Sequence, residues 1–349
     1  MSWLNQLTPM AQFLFYAGVK IICVFGPLMF LVAYSVWIER KLAAAIQDRI
    51  GPNRVGIFGL LQPVADGVKA FLKEDFTPGH VRKIYYWLAP AIVMIPALLT
   101  VAVIPFGSTL GNPKNPMVIA DLNIGILYTF GIVSLGVYGI VLAGYAANSK
   151  YPFLGGIRSS AQLISYEIAM GMSVVPLFLL VGDLNLSQVI AYQAGHGWLI
   201  LYAPISFIIF IVAAFAETNR LPFDLPESEQ ELVGGYNTEY SSMKFALFFM
   251  GEYANLIAAS AMMVTLFLGG WTLPFFGLDQ PADSVLKGLL QIGIFTAKVV
   301  ALIVMFIWVR WMWPRFRFDQ LMDLGWRRFI PLALANILVT ALILWMFTR

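Results

Sequence analysis

An all-α, polytopic membrane protein is what this sequence predicts, with eight transmembrane helices and an amphipathic helix on the cytoplasmic side in the first connection. Three observations lead there. Hydrophobic residues fill 60% of the 349 positions, mean hydropathy is +0.78, and charged residues supply only 12%, about half the ~25% of an average soluble chain. The apolar residues gather in runs of spanning length. Basic residues recur in alternate connections between those runs.

The runs fall at about 13–38, 84–106, 123–147, 161–182, 198–216, 243–268, 286–310 and 328–347. Each approximates the ~17–25 residues that cross a hydrocarbon core. The first run has no basic segment ahead of it and is too long for a signal-peptide core, so it is expected to remain as a spanning helix. Pro105, Pro176 and Pro204 mark places where a span could break or tilt. Residues 1–349 read as a single membrane domain.

Charge sets the expected sidedness, because short cytoplasmic loops retain Lys and Arg. The first connection carries Arg40, Lys41, Arg49, Arg54, Lys69, Lys73, Arg82 and Lys83, the third Lys150 and Arg158, the fifth Arg220, and the seventh Arg315, Arg317 and Arg327. The second, fourth and sixth hold only Lys114. Cytoplasmic connections are therefore expected at about 39–83, 148–160, 217–242 and 311–327, with both termini on the periplasmic side.

The first connection is too long and too patterned for a bare link. Gly51, Pro52, Asn53 and Gly56 supply turn chemistry around Arg54. Pro63 suits the start of a helix in which Leu61, Val64, Ala65, Val68, Phe71 and Leu72 recur at helical spacing, with Asp66, Lys69 and Lys73 on the other face. That pattern describes a helix lying at an interface, and the mixed charges around it, Asp48, Arg49 and Arg54 among them, fit a guarded cavity or a docking surface.

The fifth connection is acidic: Glu217, Asp224, Glu227, Glu229, Glu231 and Glu239 accumulate where anionic headgroups would disfavour them. Carboxylates crowded in a partly dry space share and pass protons, or else they receive basic residues from another subunit. Inside the spans, Glu167 stands near the middle of an apolar run and shares a helical face with Ser160 and Gly171. Glu252 with Asn255, Lys20 with Tyr16, and the stripe Lys287, Gln291 and Lys298 add further polar groups. A charge at that depth costs at least ~2.5–3.5 kcal/mol, so proton or ion handling is the first class to test. Assembly pairing in a structural anchor and an ion path in a secondary transporter stay open on these residues alone.

One cysteine, Cys23, and two histidines, His80 and His196, are too few for an internal iron–sulfur cluster or a bis-histidine haem. Redox cofactors, where needed, belong to a partner.

Three runs carry a resemblance: Glu39-Arg40-Lys41-Leu42 with Ile46 to Gly56 and Leu61 to Lys69; Glu217-Thr218-Asn219-Arg220-Leu221-Pro222-Phe223-Asp224-Leu225 continuing to Glu239-Tyr240-Ser241; and Phe245 to Phe249 with Glu252-Tyr253. Together they closely resemble the H-type membrane subunit of proton-pumping NADH:quinone oxidoreductase, respiratory complex I. Ile57 and Ser242 depart from that pattern, where proline and glycine are often found. The resemblance implies a bacterial inner-membrane, multi-pass subunit at the heel of the complex, enclosing a quinone that is ubiquinone or menaquinone. Glu39, Arg40, Arg49, Arg54, Asp66 and Lys69 would belong to the quinone cavity or its charged surroundings. Glu167, Glu217, Asp224, Glu227, Glu229, Glu231 and Glu252 would form a proton funnel from that cavity into the membrane. The resemblance assigns no covalent or metal cofactor to this chain. NADH, FMN and iron–sulfur clusters would sit in partner subunits, and the expected partners are hydrophilic redox-arm subunits, small membrane subunits, antiporter-like pumping subunits and lipid, with no nucleic acid.

Overall fold

The computed structural model describes residues 8–109, 116–226, 229–274 and 278–347. Lys114 and Glu227 lie outside the described residues, as does the side chain of Glu229. Helix α1 (Pro9–Ile46) opens under a Thr8 cap, whose hydroxyl accepts from the Ala11 N–H at 3.4 Å. It carries Pro27 without ending, as spanning helices tolerate. A tight turn follows, in which Gly59 has a φ of +76° and a Cβ would sit 2.2 Å from the Pro52 carbonyl oxygen. The helix expected to begin near Pro63 then appears as α2 (Gln62–Leu72).

Helix α3 (Lys83–Leu99) tightens into a 3-10 turn at Thr100–Val103 and leads to an unanticipated two-stranded antiparallel ribbon, β1 (Gly107–Thr109) against β2 (Pro116–Met117). Helices α4 (Gly125–Ala146) and α5 (Lys150–Val181) come next, and α5 starts well ahead of the run expected at 161–182. Pro176 lies inside α5 and does not interrupt it. Helix α6 (Leu186–His196) falls in a stretch where no helix was expected, capped by Asn185 Oδ1, which accepts from the Ser187 and Gln188 N–H groups.

The run expected at 198–216 is divided. A single turn, α7 (Leu199–Tyr202), stops at Ala203, and Pro204 starts α8 (Pro204–Glu217). The 14 residues of α8 rise about 21 Å, less than a ~30 Å hydrocarbon core. After α9 (Glu229–Leu232) come α10 (Ser242–Phe267), α11 (Val285–Met312), α12 (Phe318–Asp323), a π-helical turn at Leu324–Phe329, and α13 (Ile330–Phe347). Among the described residues seven helices are long and apolar enough to cross a membrane, and Pro204–Glu217 is shorter. The protein is all-α and polytopic, with the fifth expected crossing built from two pieces.

Helix α10 runs through the centre and is buried along most of its length. It packs on α3 and α11, while α4 sits between α3 and α5, and α5 carries α8 and α13. Gly139 permits the α3–α4 approach: a Cβ there would stand 2.6 Å from Val93 Cγ2 and 2.9 Å from the Val93 nitrogen. Buried polar groups fasten the connections. Gln193 donates to the Thr265 carbonyl and accepts from the Leu199 and Gly269 N–H groups. Lys298 donates to the carbonyls of Leu268, Gly270 and Thr272 at 2.6, 3.0 and 2.7 Å. Gln291, 0% exposed, donates to the Gln280 carbonyl. Gln291 and Lys298 thus point inward, and with Lys287, which donates to the Pro281 carbonyl, they tie down the chain at residues 268–272 and 280–281.

Candidate functional site

Four elements bring charge to one buried place. Glu39 lies near the end of α1, Glu252 and Tyr253 on α10, Arg310 near the end of α11, and Arg220 in the loop after α8. Gln162 on α5 holds that loop by donating to the carbonyls of Ala216 and Phe223 at 2.7 and 2.8 Å, and the Phe316 N–H bonds the Pro222 carbonyl. Arg220 Nη1 donates to Glu39 Oε2 at 2.7 Å, and its Nε stands 2.9 Å from Glu252 Oε1 as an ion pair. The Tyr253 hydroxyl donates to the same Glu39 oxygen at 2.7 Å, and its ring lies 4.4 Å beneath the Arg220 guanidinium. Arg310 pairs with the other Glu39 oxygen.

This knot holds two carboxylates and two guanidiniums, so it is charge-neutral only while both acids are ionised. Burial alone would pull the Arg220 guanidinium down, but Glu252, Tyr253 and Glu39 outweigh it and hold it well above its ordinary value. Next to the knot, Asp224 receives Arg315 at 3.1 Å. Burial raises the Asp224 carboxyl, and Arg315, Arg310 and Arg220 offset only part of that.

A cavity of about 610 Å³ adjoins the knot, enclosed by α1, α2 and the start of α10. Its apolar wall includes Met29, Val32, Val36, Phe245 and Phe249, and its polar end Arg40, Asp66, Lys69 and Lys73. Asp66 organises that end: Arg40 Nη1 donates to it at 2.7 Å, Gln62 at 3.2 Å and Lys69 at 3.5 Å. Tyr253 belongs to both places, lining the cavity while bonding Glu39.

On the far side of Glu252 lie two smaller cavities of about 40 and 30 Å³, each with room for a water molecule. The first is bordered by Glu167, Glu217, Glu252 and Asn255, and the second shares Glu217, Thr218 and Asn255 with it. One oxygen of Glu217 is buried with no hydrogen-bond partner among the described residues.

The sequence-predicted residues therefore separate into groups. Arg40, Asp66 and Lys69 meet at the large cavity, whereas their neighbour Glu39 turns the other way into the knot. The Arg49 side chain donates to the nearby Gln47 side chain and Arg54 is exposed, and neither is among the residues that line the cavity. The described carboxylates of the fifth connection do not converge either. Glu217 faces Glu167, Asp224 takes Arg315, Glu231 takes Arg158 at 2.6 Å, and Glu239 lies 3.6 Å from His80. Sequence reasoning did not single out Arg310, Arg315 or Tyr253. Arg315 read only as a loop charge, Arg310 only as the basic flank at the end of the 286–310 run, and the signal for Tyr253 was its place beside Glu252.

A family described as NADH dehydrogenase matches residues 19–341. The chain belongs to that family. It is 49% identical over 340 residues to an H-type NADH-quinone oxidoreductase chain of Geobacter metallireducens, covering 97% of this chain and 99% of the relative. It is 48% identical over 348 residues to the H-type chain of Koribacter versatilis (95% and 98% covered) and 47% identical over 341 to that of Cytophaga hutchinsonii (96% and 98%). The expected resemblance to H-type membrane proteins of this enzyme is borne out. Long apolar helices and bacterial relatives of near-equal length make this family member a multi-pass protein of the bacterial inner membrane.

Proposed function

We propose that this chain is the quinone-cavity-forming membrane subunit of an NADH:quinone oxidoreductase, coupling electron transfer from NADH to quinone to proton translocation through buried carboxylates. The carrying observation is Tyr253, which is at once a wall of the 610 Å³ cavity and a donor to Glu39 in the neutral knot. The volume is within the ~300–1,000 Å³ of small-molecule sites, and an apolar wall with a few polar groups at one end suits a hydrophobic tail and a polar ring. The quinone is ubiquinone or menaquinone.

Cys23 is the only cysteine, and it is exposed. That donor set fits no iron–sulfur cluster. In this reading NADH, FMN and the clusters sit in hydrophilic redox-arm subunits, which deliver two electrons to the quinone. Small membrane subunits and antiporter-like pumping subunits complete the assembly, and the isolated chain is not catalytically competent. The cytoplasmic connections are 39–83, 148–160, 217–242 and 311–327, with eight crossings and both termini periplasmic. Helix α2 lies at the cytoplasmic membrane interface.

Reduction of a quinone to quinol takes up two electrons and two protons. Proton uptake beside Arg40, Asp66 and Tyr253 alters the field on Glu39, and the knot answers because one protonation leaves a buried guanidinium unbalanced. The shift reaches Glu252 and, through the water-sized cavities, Glu217 and Glu167. Two measurements test this. A photoreactive quinone bound to the assembled complex is expected to label residues 62–73 or 240–253, and labelling confined to other subunits would refute the cavity. Glu167→Gln, which keeps size and removes titration, is expected to uncouple pumping from NADH oxidation; wild-type pumping per electron would refute a titrating role there.

A further inference from the structure

Helix α2 forms one wall of the large cavity, yet none of its residues is fully buried. Its last turn leaves carbonyls without partners inside the helix. One of them, Ala70, and the carbonyl of Lys73, the residue that ends the helix, lie 3.0 and 2.9 Å from the hydroxyl of Ser242, the first residue of α10. Ser242 is itself 7% exposed and lines the cavity. It holds a φ of +56°, a left-handed conformation that an L residue adopts at a cost and that glycine adopts freely. A serine in that place is accounted for by its donor rather than by its backbone.

Two residues on, Lys244 repeats the attachment. It is 4% exposed, donates to Asp75 at 2.8 Å and Thr77 at 3.1 Å, and sits 3.8 Å over the Trp87 ring. The chain leaving α2 is thus tied to the start of α10 at two successive points. At the other side of the wall, Asp66–Arg40 ties α2 to α1.

We propose that Ser242 is a positioning residue for the quinone reaction: its hydroxyl caps the C-terminal end of α2 and fixes that helix as the cavity wall. The assignment rests on the quinone-cavity reading. Losing the donor frees the last turn of α2, widens the range of wall positions and weakens quinone binding, while the knot of Glu39, Arg220, Glu252 and Arg310, which lies off α2, stays in place.

The test uses the purified, assembled complex. Ser242→Gly removes the donor and relieves the positive φ, so it folds more readily than Ser242→Ala. Ser242→Asn tolerates the same φ and keeps an N–H donor. Hydrogen–deuterium exchange of residues 68–73 reads the wall without reference to quinone, and KM against kcat for a short-tailed quinone reads the reaction. Ser242→Gly is expected to speed exchange in the last turn of α2 and to raise KM about 3- to 10-fold, the scale of one hydrogen bond, with kcat nearly unchanged. Ser242→Asn is expected to restore both. Unchanged exchange in Ser242→Gly would overturn the capping role and leave the cavity reading intact. Faster exchange with unchanged KM would overturn the positioning role, and the photolabelling of residues 62–73 or 240–253 decides the cavity reading separately.

Discussion

Arg220 is the residue on which the buried charges balance. It touches Glu39 and Glu252 together, so Arg220→Met leaves two buried carboxylates with Arg310 as the remaining cation in the knot. Breaking a buried pair costs about 3–5 kcal/mol, and the expected outcome is loss of the assembled complex on native gels. Arg220→Lys keeps the charge but not the two-sided fork, and should recover part of the yield. The linkage has a definite sign. The folded-state value of Arg220 lies well above its already high ordinary value, so its stabilisation is fully present throughout the neutral range and is lost only as pH rises through strongly alkaline values. Thermal inactivation measured between about pH 6 and 9 should therefore show no transition that Arg220→Lys removes. Tyr253→Phe keeps the ring beneath Arg220 and deletes one bond to a charged acceptor, a loss of about 1.5–3 kcal/mol. A fall in the melting temperature of the complex would report it.

At the scale of elements, close helix approach predicts which glycine substitution fails. Gly139→Ala places a carbon against Val93, forcing α3 and α4 apart at a cost of about 1–3 kcal/mol. The measurement is thermal stability of the complex. Val93→Ala in the same background should return only part, because the Val93 backbone nitrogen remains 2.9 Å from the added carbon. Elements were also where the sequence was most and least legible. Long apolar runs and the Pro63 start disclosed most of the long helices and α2, because hydropathy and capping act locally. Asn185 with Ser187 and Gln188 was a readable cap for α6, but the helix is short and only moderately apolar, and spanning length was the criterion applied. The division at Ala203 came from Pro204, one of three prolines noted, whereas Pro176 sits in an unbroken helix. Which proline breaks a helix depends on neighbours that satisfy the freed carbonyls, and that is tertiary information. The candidate site followed the same rule. Asp66 with Lys69 was visible as helical spacing, and Glu252 as a charge in an apolar run. The contacts of Arg220 with Glu39 and of Arg310 with Glu39 join positions 181 and 271 residues apart, which no local pattern encodes.

For the whole molecule, the open quantity is the number of crossings, and the divided α7–α8 segment decides it. Eight crossings put Asp183 and Arg317 on opposite membrane faces; a segment that enters and returns would put them on the same face. In a Cys23→Ser background, an impermeant thiol reagent added outside spheroplasts should modify Asp183→Cys and spare Arg317→Cys. Modification of both from outside would remove the eighth crossing.

Sharing of the Tyr253 side chain between cavity and knot has a design consequence. A bulkier guest in the cavity would have to displace a ring whose oxygen is already committed to Glu39. In the function proposed above, size selectivity and proton affinity are thereby welded to one phenol, so that a change in either property during divergence carries the other with it.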